Sequence, residues 1–334
     1  MIVVRTDVQP ELAGIRPGIS EADYRLAVRS AMLYYQAGLT QSEIGVRLGY
    51  SRVKINRVLR QARSHGILEV QVKIPAGWHV EIETELIRVL GLRDAVVVSS
   101  DQSGRSLESV LAEGAAQFLL AQLQPGVRIG LGIGRTVAHL PERFRPSRQV
   151  DCAFIELIGS TYNQDWARFD VTSKMAELAG GTRESLQVPG FVTDPDLVSL
   201  LAQEPSVADA LDRARKSDIM VQSVGPVDTT AILFESDVLT ADDLVDLRDR
   251  GAVGDALGYY FDINGDHVQS KSDSNLIGIN LDDLRNVSWS VLVAGGAAKV
   301  LPIIGGVRGG YFNTLVTDDL TAAAVLEAYA GSDR

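Results

Sequence analysis

Between Ser20 and Gly38, apolar residues return at three- and four-residue steps, at Tyr24, Ala27, Val28, Ala31, Met32, Leu33 and Tyr35, as one buried face of a helix requires. Ser20 followed by Asp23 suits the start of that helix and Gly38 its stop. Thr40 is a good N-cap for a short second helix, QSEIGVRLG, and Ser51 can cap a third, SRVKINRVLRQARSHG, which Gly66 ends. Ile44 and Leu48 on the second helix can face Ile55, Val58 and Leu59 on the third, with Gly45 allowing close approach and Gly49 a positive φ at the turn. This is the pattern of a helix-turn-helix. The next segment, ILEVQVKI, alternates as a strand or wing ending at Pro75, although no partner strand is obvious. In HVEIETELIRVLGL, Val80, Ile82, Leu86, Val89 and Leu90 mark a short amphipathic connector, suited either to a dimer contact or to docking on its own body.

Beyond Leu92 short apolar runs alternate with helical stretches. Strands are expected at 95–99, 127–132, 152–159, 218–225, 290–296 and 313–318. Helices are expected at Ser106 to Leu123, Asp170 to Ala179, Asp196 to Leu201 and Ala322 to Tyr329. Near-continuous Val/Ile/Leu strands separated by helices predict a largely parallel sheet covered on both faces, whose ligands sit beyond the carboxyl ends of the strands.

Charge changes the picture once it is mapped. The 334 residues carry 32 Lys plus Arg against 43 Asp plus Glu, a net charge of −11 that argues against nucleic-acid binding if taken whole. Residues 1–77, however, hold eleven basic against six acidic side chains, leaving the remainder at −16. A small basic head precedes a large acidic body. The span from Ser51 to Arg63 has five basic residues and no acid. That face suits a major-groove helix, with Ser51, Arg52 and Asn56 expected at bases and Lys54, Arg57 and Arg60 at the phosphate backbone. One cysteine, Cys152, excludes a disulfide framework, and no Cys/His spacing fits a structural zinc site. The first residues lack a signal-peptide pattern, and the long apolar run 291–307 is interrupted by Gly295, Gly296, Lys299 and Pro302, which makes it a poor membrane span. A cytoplasmic protein without membrane contact is expected.

Three strand ends carry candidate chemistry. GLGIGRTVAHL offers Gly132, Gly134, Arg135 and Thr136 as donors for phosphate or sugar oxygens. It lacks dinucleotide or Walker spacing, so no NAD or ATP is implied and no cofactor is expected. VAGGAAKVLPIIGG places Lys299 after a glycine pair, aimed at an anionic group or snorkelling to the surface. In GAVGDALGYYFDINGDHV, Asp255 could accept sugar hydroxyls or cap a turn, and FDINGDHV resembles a strand turning back on itself.

The head YYQAGLTQSEIGVRLGYSRVKINRVLRQARSHGILEVQV resembles the DNA-binding domain of the SorC family of bacterial transcription regulators. GIGRT, LQVPG, EPSVADAL, GDALGYYFDINGDHV, LDDLRNV, VAGGAAKVLPI and NTLVTDDLTA are similar, in the same order, to that family's sugar-binding domain. The resemblance implies a regulator, usually a repressor, controlled by a sugar, polyol or sugar phosphate, with an effector domain like that of sugar-phosphate isomerases and deaminases. By motif position it implies a phosphate-side loop at Arg135 and Thr136, an acidic sugar contact at Asp255 and a lysine at Lys299. Arg168 and Asp170 fall where relatives often place a polar pair, and a carboxylate at Asp170 would disfavour a bisphosphate. The expected fold is α/β, with a small all-α helix-turn-helix domain at 1–75 that a wing could extend, a linker helix at 76–91, and a Rossmann-like, mostly parallel effector and oligomerisation domain at 92–334. Paired operator half-sites imply a homo-oligomer, dimer or tetramer. The competing expectation is an active sugar-phosphate isomerase or deaminase with an accessory head. Against it, SVGPVD (223–228) replaces the acidic element expected of isomerases, and His139, near the glycine loop, fits helix packing better than catalysis.

Overall fold

The computed structural model describes the chain except residues 1, 4–19, 69–70, 73–77, 102–103, 161–169, 236–237 and 333–334. It divides into two compact units, Met1–Ala76 and Gly77–Arg334.

In the first unit, α1 (Glu21–Tyr35), α2 (Gln41–Leu48) and α3 (Arg52–Ser64) are capped at Ser20, Thr40 and Ser51. The caps accept the backbone N–H groups of Asp23, Glu43 and Lys54, and Glu43 returns the bond to Thr40 N at 2.8 Å, completing a capping box. Gly49 ends α2 at φ 75°, and a Cβ on Gly45 would lie 2.5 Å from the Tyr50 carbonyl oxygen. The turn therefore needs glycine at 49 for conformation and at 45 for space. Ile44, Ile55, Val58, Leu59 and Ala62 pack with Leu26, Ala27 and Ala31 of α1. Leu26 takes the place expected of Tyr24 and Met32, which are exposed: the packed face runs through Leu26, Ala27, Ser30 and Ala31. Of the alternating segment after Gly66, β2 (Gln71–Val72) is described, and its antiparallel partner is β1 (Ile2–Val3) at the start of the chain. The missing partner of the wing strand thus comes from a segment far away in sequence.

The second unit contains a seven-stranded sheet of β3 (Asp94–Val98), β4 (Arg128–Leu131), β5 (Ala153–Glu156), β6 (Thr182–Glu184), β7 (Ile219–Gln222), β12 (Trp289–Val293) and β13 (Thr314–Asp318). Every pairing in it is parallel, in the order β3-β13-β12-β7-β4-β5-β6. Successive residues feed opposite cores: Ala95, Met220, Leu292 and Leu315 pack on one face, and Ile129, Val221, Val293 and Val316 on the other. That double burial is why the strands read as unbroken apolar runs. The helix α4 (Val80–Leu90) lies in this unit, with Leu86 and Leu90 buried in the first of those cores. A smaller antiparallel sheet of β8 (Gly225–Pro226), β9 (Ala252–Ala256), β10 (Tyr259–Asp262) and β11 (His267–Val268) is added to the parallel one. Its β10–β11 pairing contains the reversal expected in FDINGDHV.

From β4 the chain builds outward through β5 and β6 to one edge, then returns to the other side of β4 with β7, β12 and β13. The direction of winding reverses between β4 and β7, and in open parallel sheets such a switch point leaves a crevice beyond the strand ends.

Candidate functional site

On the head, Arg52, Arg57 and Arg60 of α3 are exposed, and the Lys54 ammonium lies 4.3 Å from the centre of the Tyr50 ring. Ser51 is occupied as the N-cap. Asn56 uses both ends of its amide within the protein: its Nδ2 donates to Gln41 Oε1 of α2 at 3.1 Å, and its Oδ1 accepts from Arg60 Nε at 2.8 Å. Val53, 79% exposed beside Arg52, and Val46, 87% exposed on α2, are apolar groups that periodicity did not single out.

In the second unit a pocket lies at the switch point. Ile133 to Thr136 line it after β4, Gln222 to Pro226 after β7, and Ala294, Gly295 and Lys299 after β12. Glu108 of α5 (Leu107–Gln122), Thr230 and Asp255 complete its polar surface. The pocket is partly enclosed and opens to solvent.

Gly134 adopts φ 155° and leads into the helical turn Arg135–Ala138, which begins with Arg135 and buried Thr136. The Arg135 guanidinium reaches the Thr230 carbonyl at 3.5 Å. Lys299 donates to the Val224 carbonyl at 2.5 Å, and burial holds its ammonium below the usual lysine range, opposed by Asp255. Asp255 lies on β9, facing Gly225 of β8. Its carboxylate accepts from Gly258 N at 3.1 Å and also from Gly225 N. A Cβ on Gly225 would stand 2.0 Å from Asp255 Oδ1, so glycine at 225 is what lets the strand approach the carboxylate. Burial pushes the Asp255 pKa up to about 6, against the pull of Lys299 and the two backbone donors.

The structure therefore brings Gly134, Arg135, Thr136, Asp255 and Lys299 together in one pocket. Gly132 sits behind the lining, where a Cβ would lie 1.6 Å from Gln222 Oε1. Asp170 caps the helix Val171–Ala179 through Ser173 N, pairs with Arg183 at 3.2 Å and is not among the described residues that line the pocket. Glu108 and Asp255 are the carboxylates that line the pocket together with Arg135 and Lys299. Arg168 lies outside the described residues. Gln222, Ser223, Thr230 and Glu108 were missed by sequence reasoning. A polar residue ending a buried strand, as Gln222 does, was the available signal.

Comparison with known proteins agrees with this geometry. The family described as "Putative sugar-binding domain" matches residues 76–327. The "Transcriptional regulator LsrR" of Enterobacter sp. (strain 638) is 31% identical over 321 residues, covering 94% of this chain and 96% of the relative. Its namesake in Escherichia coli (strain K12) is 32% identical over 310 residues, covering 90% and 94%. Among solved structures, the full-length sorbitol operon regulator SorC from Klebsiella pneumoniae superposes with a TM-score of 0.69 at 26% identity, covering 91% of this chain and 99% of that one. A probable sor operon regulator from Shigella flexneri gives 0.68 at 25% identity, covering 74% and 99%. With helix-turn-helix, switch-point pocket and end-to-end relatives in agreement, the chain belongs to the SorC family of transcriptional regulators.

Proposed function

We propose that this protein is a DNA-binding regulator, acting as a repressor of carbohydrate-metabolism genes, whose hold on its operator is set by a sugar, polyol or sugar monophosphate in the switch-point pocket. The observation that carries the reading is the composition of that pocket. Two cations and two carboxylates converge where an open parallel sheet binds ligands, which suits one anionic group and a set of hydroxyls. The effector would act by differential affinity for arrangements of paired heads in a homo-oligomer, and the same factor limits the response. Residues 1–75 would read DNA and 92–334 would bind effector and assemble the oligomer. The reading gives the pocket a binding role without turnover, and it is supported by relatives named as regulators. Ribose and hexosamine phosphates incubated with the protein should be recovered unchanged. No helix among the described residues is long and apolar enough to cross a membrane.

On the head, Arg52 and exposed Val53 would meet base edges, the valine suiting a thymine methyl, while Lys54, Arg57 and Arg60 would meet phosphates. Ser51 would add its contact while capping α3. Asn56 would also meet a base edge, from a position set by its two hydrogen bonds to Gln41 and Arg60.

Two measurements test the reading. A thermal-shift screen of sugars, polyols and their monophosphates should find a ligand that raises stability by mass action, about 2.7 kcal/mol at a hundredfold excess over Kd, and that ligand should change operator affinity. Arg52→Ala should cost roughly 1–3 kcal/mol at the operator selected by the wild type and relax its base preference. Arg60→Ala should weaken all sequences alike and reduce the slope of log K against log salt by about 0.9. An unchanged base preference in Arg52→Ala would remove α3 from the role of reading helix.

A further inference from the structure

Lys299 reaches the pocket from a turn of three residues, Ala297–Lys299, and that turn begins at Gly296. Both backbone groups of Gly296 are engaged. Its carbonyl accepts from Lys299 N at 2.9 Å, and its N–H donates at 2.6 Å to Thr321 Oγ1, in the helix Asp319–Ser332. The Thr321 hydroxyl is itself fixed: it donates to Asp318 Oδ2 at 2.6 Å, which leaves its lone pairs for Gly296. Asp318 is the buried last residue of β13, and its Oδ1 accepts from Thr321 N at 2.9 Å. That bond alone would cap the helix. The other carboxylate oxygen and the hydroxyl are surplus to capping, and they end on the loop that carries Lys299. Glycine at 295 and 296 serves the same contact. A Cβ on Gly295 would stand 2.4 Å from Asp318 Oδ2 and 2.9 Å from Leu111 Cδ1, and Gly296 has φ 94°. The first glycine lets the loop lie on the carboxylate, and the second lets it turn toward the pocket.

We propose that Asp318 and Thr321 are positioning residues of the effector site: through Gly296 they hold the turn that aims Lys299 at an anionic group of the ligand. Neither is among the described residues that line the pocket, so they act through the lysine. The chain of donors runs one way, from the Gly296 N–H to a hydroxyl to a buried carboxylate, and a hydrogen bond that ends on a charge is among the strong ones. The part played by the ligand rests on the effector reading above. The placement of Lys299 can be measured without a ligand.

The test uses the full-length protein and three variants. Thr321→Val keeps the volume and removes the hydroxyl, Thr321→Ser keeps the hydroxyl, and Gly295→Ala forces the loop off the carboxylate without touching Thr321. The first readout is competitive acetylation of the lysines as a function of pH, followed residue by residue with mass spectrometry. In the wild type Lys299 should titrate below the surface lysines, because burial and Arg135 disfavour its charge more than Asp255, Asp228 and Glu108 favour it. Thr321→Val and Gly295→Ala should move that midpoint up toward the surface lysines, as the released turn lets the ammonium into water. Thr321→Ser should leave it in place. The second readout is calorimetric titration with ribose 5-phosphate, glucose 6-phosphate and glucitol 6-phosphate, each beside its unphosphorylated parent. Affinity for the phosphate that binds wild type should fall about tenfold in Thr321→Val and return in Thr321→Ser, while the parent changes little. If Thr321→Val melts lower but keeps the Lys299 midpoint and the phosphate affinity of Thr321→Ser, the pair only caps its helix and the inference is overturned. If Thr321→Val does not fold, an unmoved Lys299 midpoint in Gly295→Ala overturns it equally. If no probe binds the wild type, the effector reading loses its support, and the Lys299 midpoints still decide the positioning.

Discussion

Gly45→Val is expected to lower the melting temperature of the head by about 15 °C and to weaken its binding to DNA at least a hundredfold, while the effector domain keeps its own transition. The Cβ alone would stand 2.5 Å from the backbone oxygen of Tyr50 and 3.4 Å from Arg52 N, so the obstacle is main chain and cannot rotate away. Valine adds two further methyl groups. Overpacking of a well-filled core costs roughly 1–3 kcal/mol, and a clash against backbone belongs at the upper end. In a domain of this size each kcal/mol moves the melting temperature by about 4–8 °C. The loss of DNA binding should exceed the loss of stability, because the displaced segment is the turn that sets the angle of α3 and with it Arg52 and Arg57. Gly38→Ala provides the contrast. Gly38 has φ 69° but nothing within 4 Å of its missing Cβ, so only the left-handed backbone is strained, at about 1 kcal/mol. Differential scanning calorimetry with titration of a wild-type-selected operator reads both effects. Equal melting of Gly45→Val and wild type would refute the close-packed turn.

What the chain disclosed of itself follows the same physics. The six strands inferred from Val/Ile/Leu runs are those buried on both faces, whereas β6, Thr182–Glu184, is a polar edge strand whose Arg183 pairs with Glu156 and whose Glu184 pairs with Arg128. Such a strand carries no apolar periodicity. The β8–β9 half of the antiparallel sheet was hidden for a related reason: β8 is a Gly-Pro pair and β9 holds Gly254 and Asp255, residues that ordinarily argue against strands. They are there because a carboxylate must meet backbone N–H groups at close range. Local rules failed where the site is built. Arg135, Thr136, Asp255 and Lys299 were legible because charge beside glycine at a strand end is conspicuous, and Gln222 was not because its burial comes from Gly132, ninety positions away in sequence. Asn56 was legible as a polar group on α3, but its use by Gln41 and Arg60 depends on how α2 crosses that helix.

Acidification from pH 7.5 to 5 should weaken effector binding and stabilise the ligand-free effector domain at this site, two responses of opposite sign from one carboxyl group. Asp255 has a pKa of about 6 in the folded protein because burial disfavours its charge, compared with about 3.9 for an ordinary aspartate. The folded state therefore binds the extra proton between those values. Its contribution to stability is full below the unfolded pKa and is lost as pH rises through about 6. Effector binding runs the other way, since hydroxyl donors need the ionised carboxylate and the proton competes with them. Affinity should fall roughly tenfold for each pH unit below 6. A phosphate monoester also titrates near 6, so a phosphorylated ligand adds its own slope. Asp255→Asn separates the two, retaining the ligand's contribution and abolishing the protein's. At pH 7.5 that substitution should lower affinity by about one to two orders of magnitude, the range for loss of a charge-assisted hydrogen bond. It also leaves Lys299 without its opposing charge, so the Lys299 ammonium should become more easily deprotonated. Calorimetric titration of wild type and Asp255→Asn at pH 7.5, 6.5, 5.5 and 5.0 would reveal the two slopes. Parallel pH profiles in the two proteins would mean that Asp255 does not touch the effector, and the pocket's hydroxyl recognition would then have to lie with its neutral groups, Ser223 and Thr230.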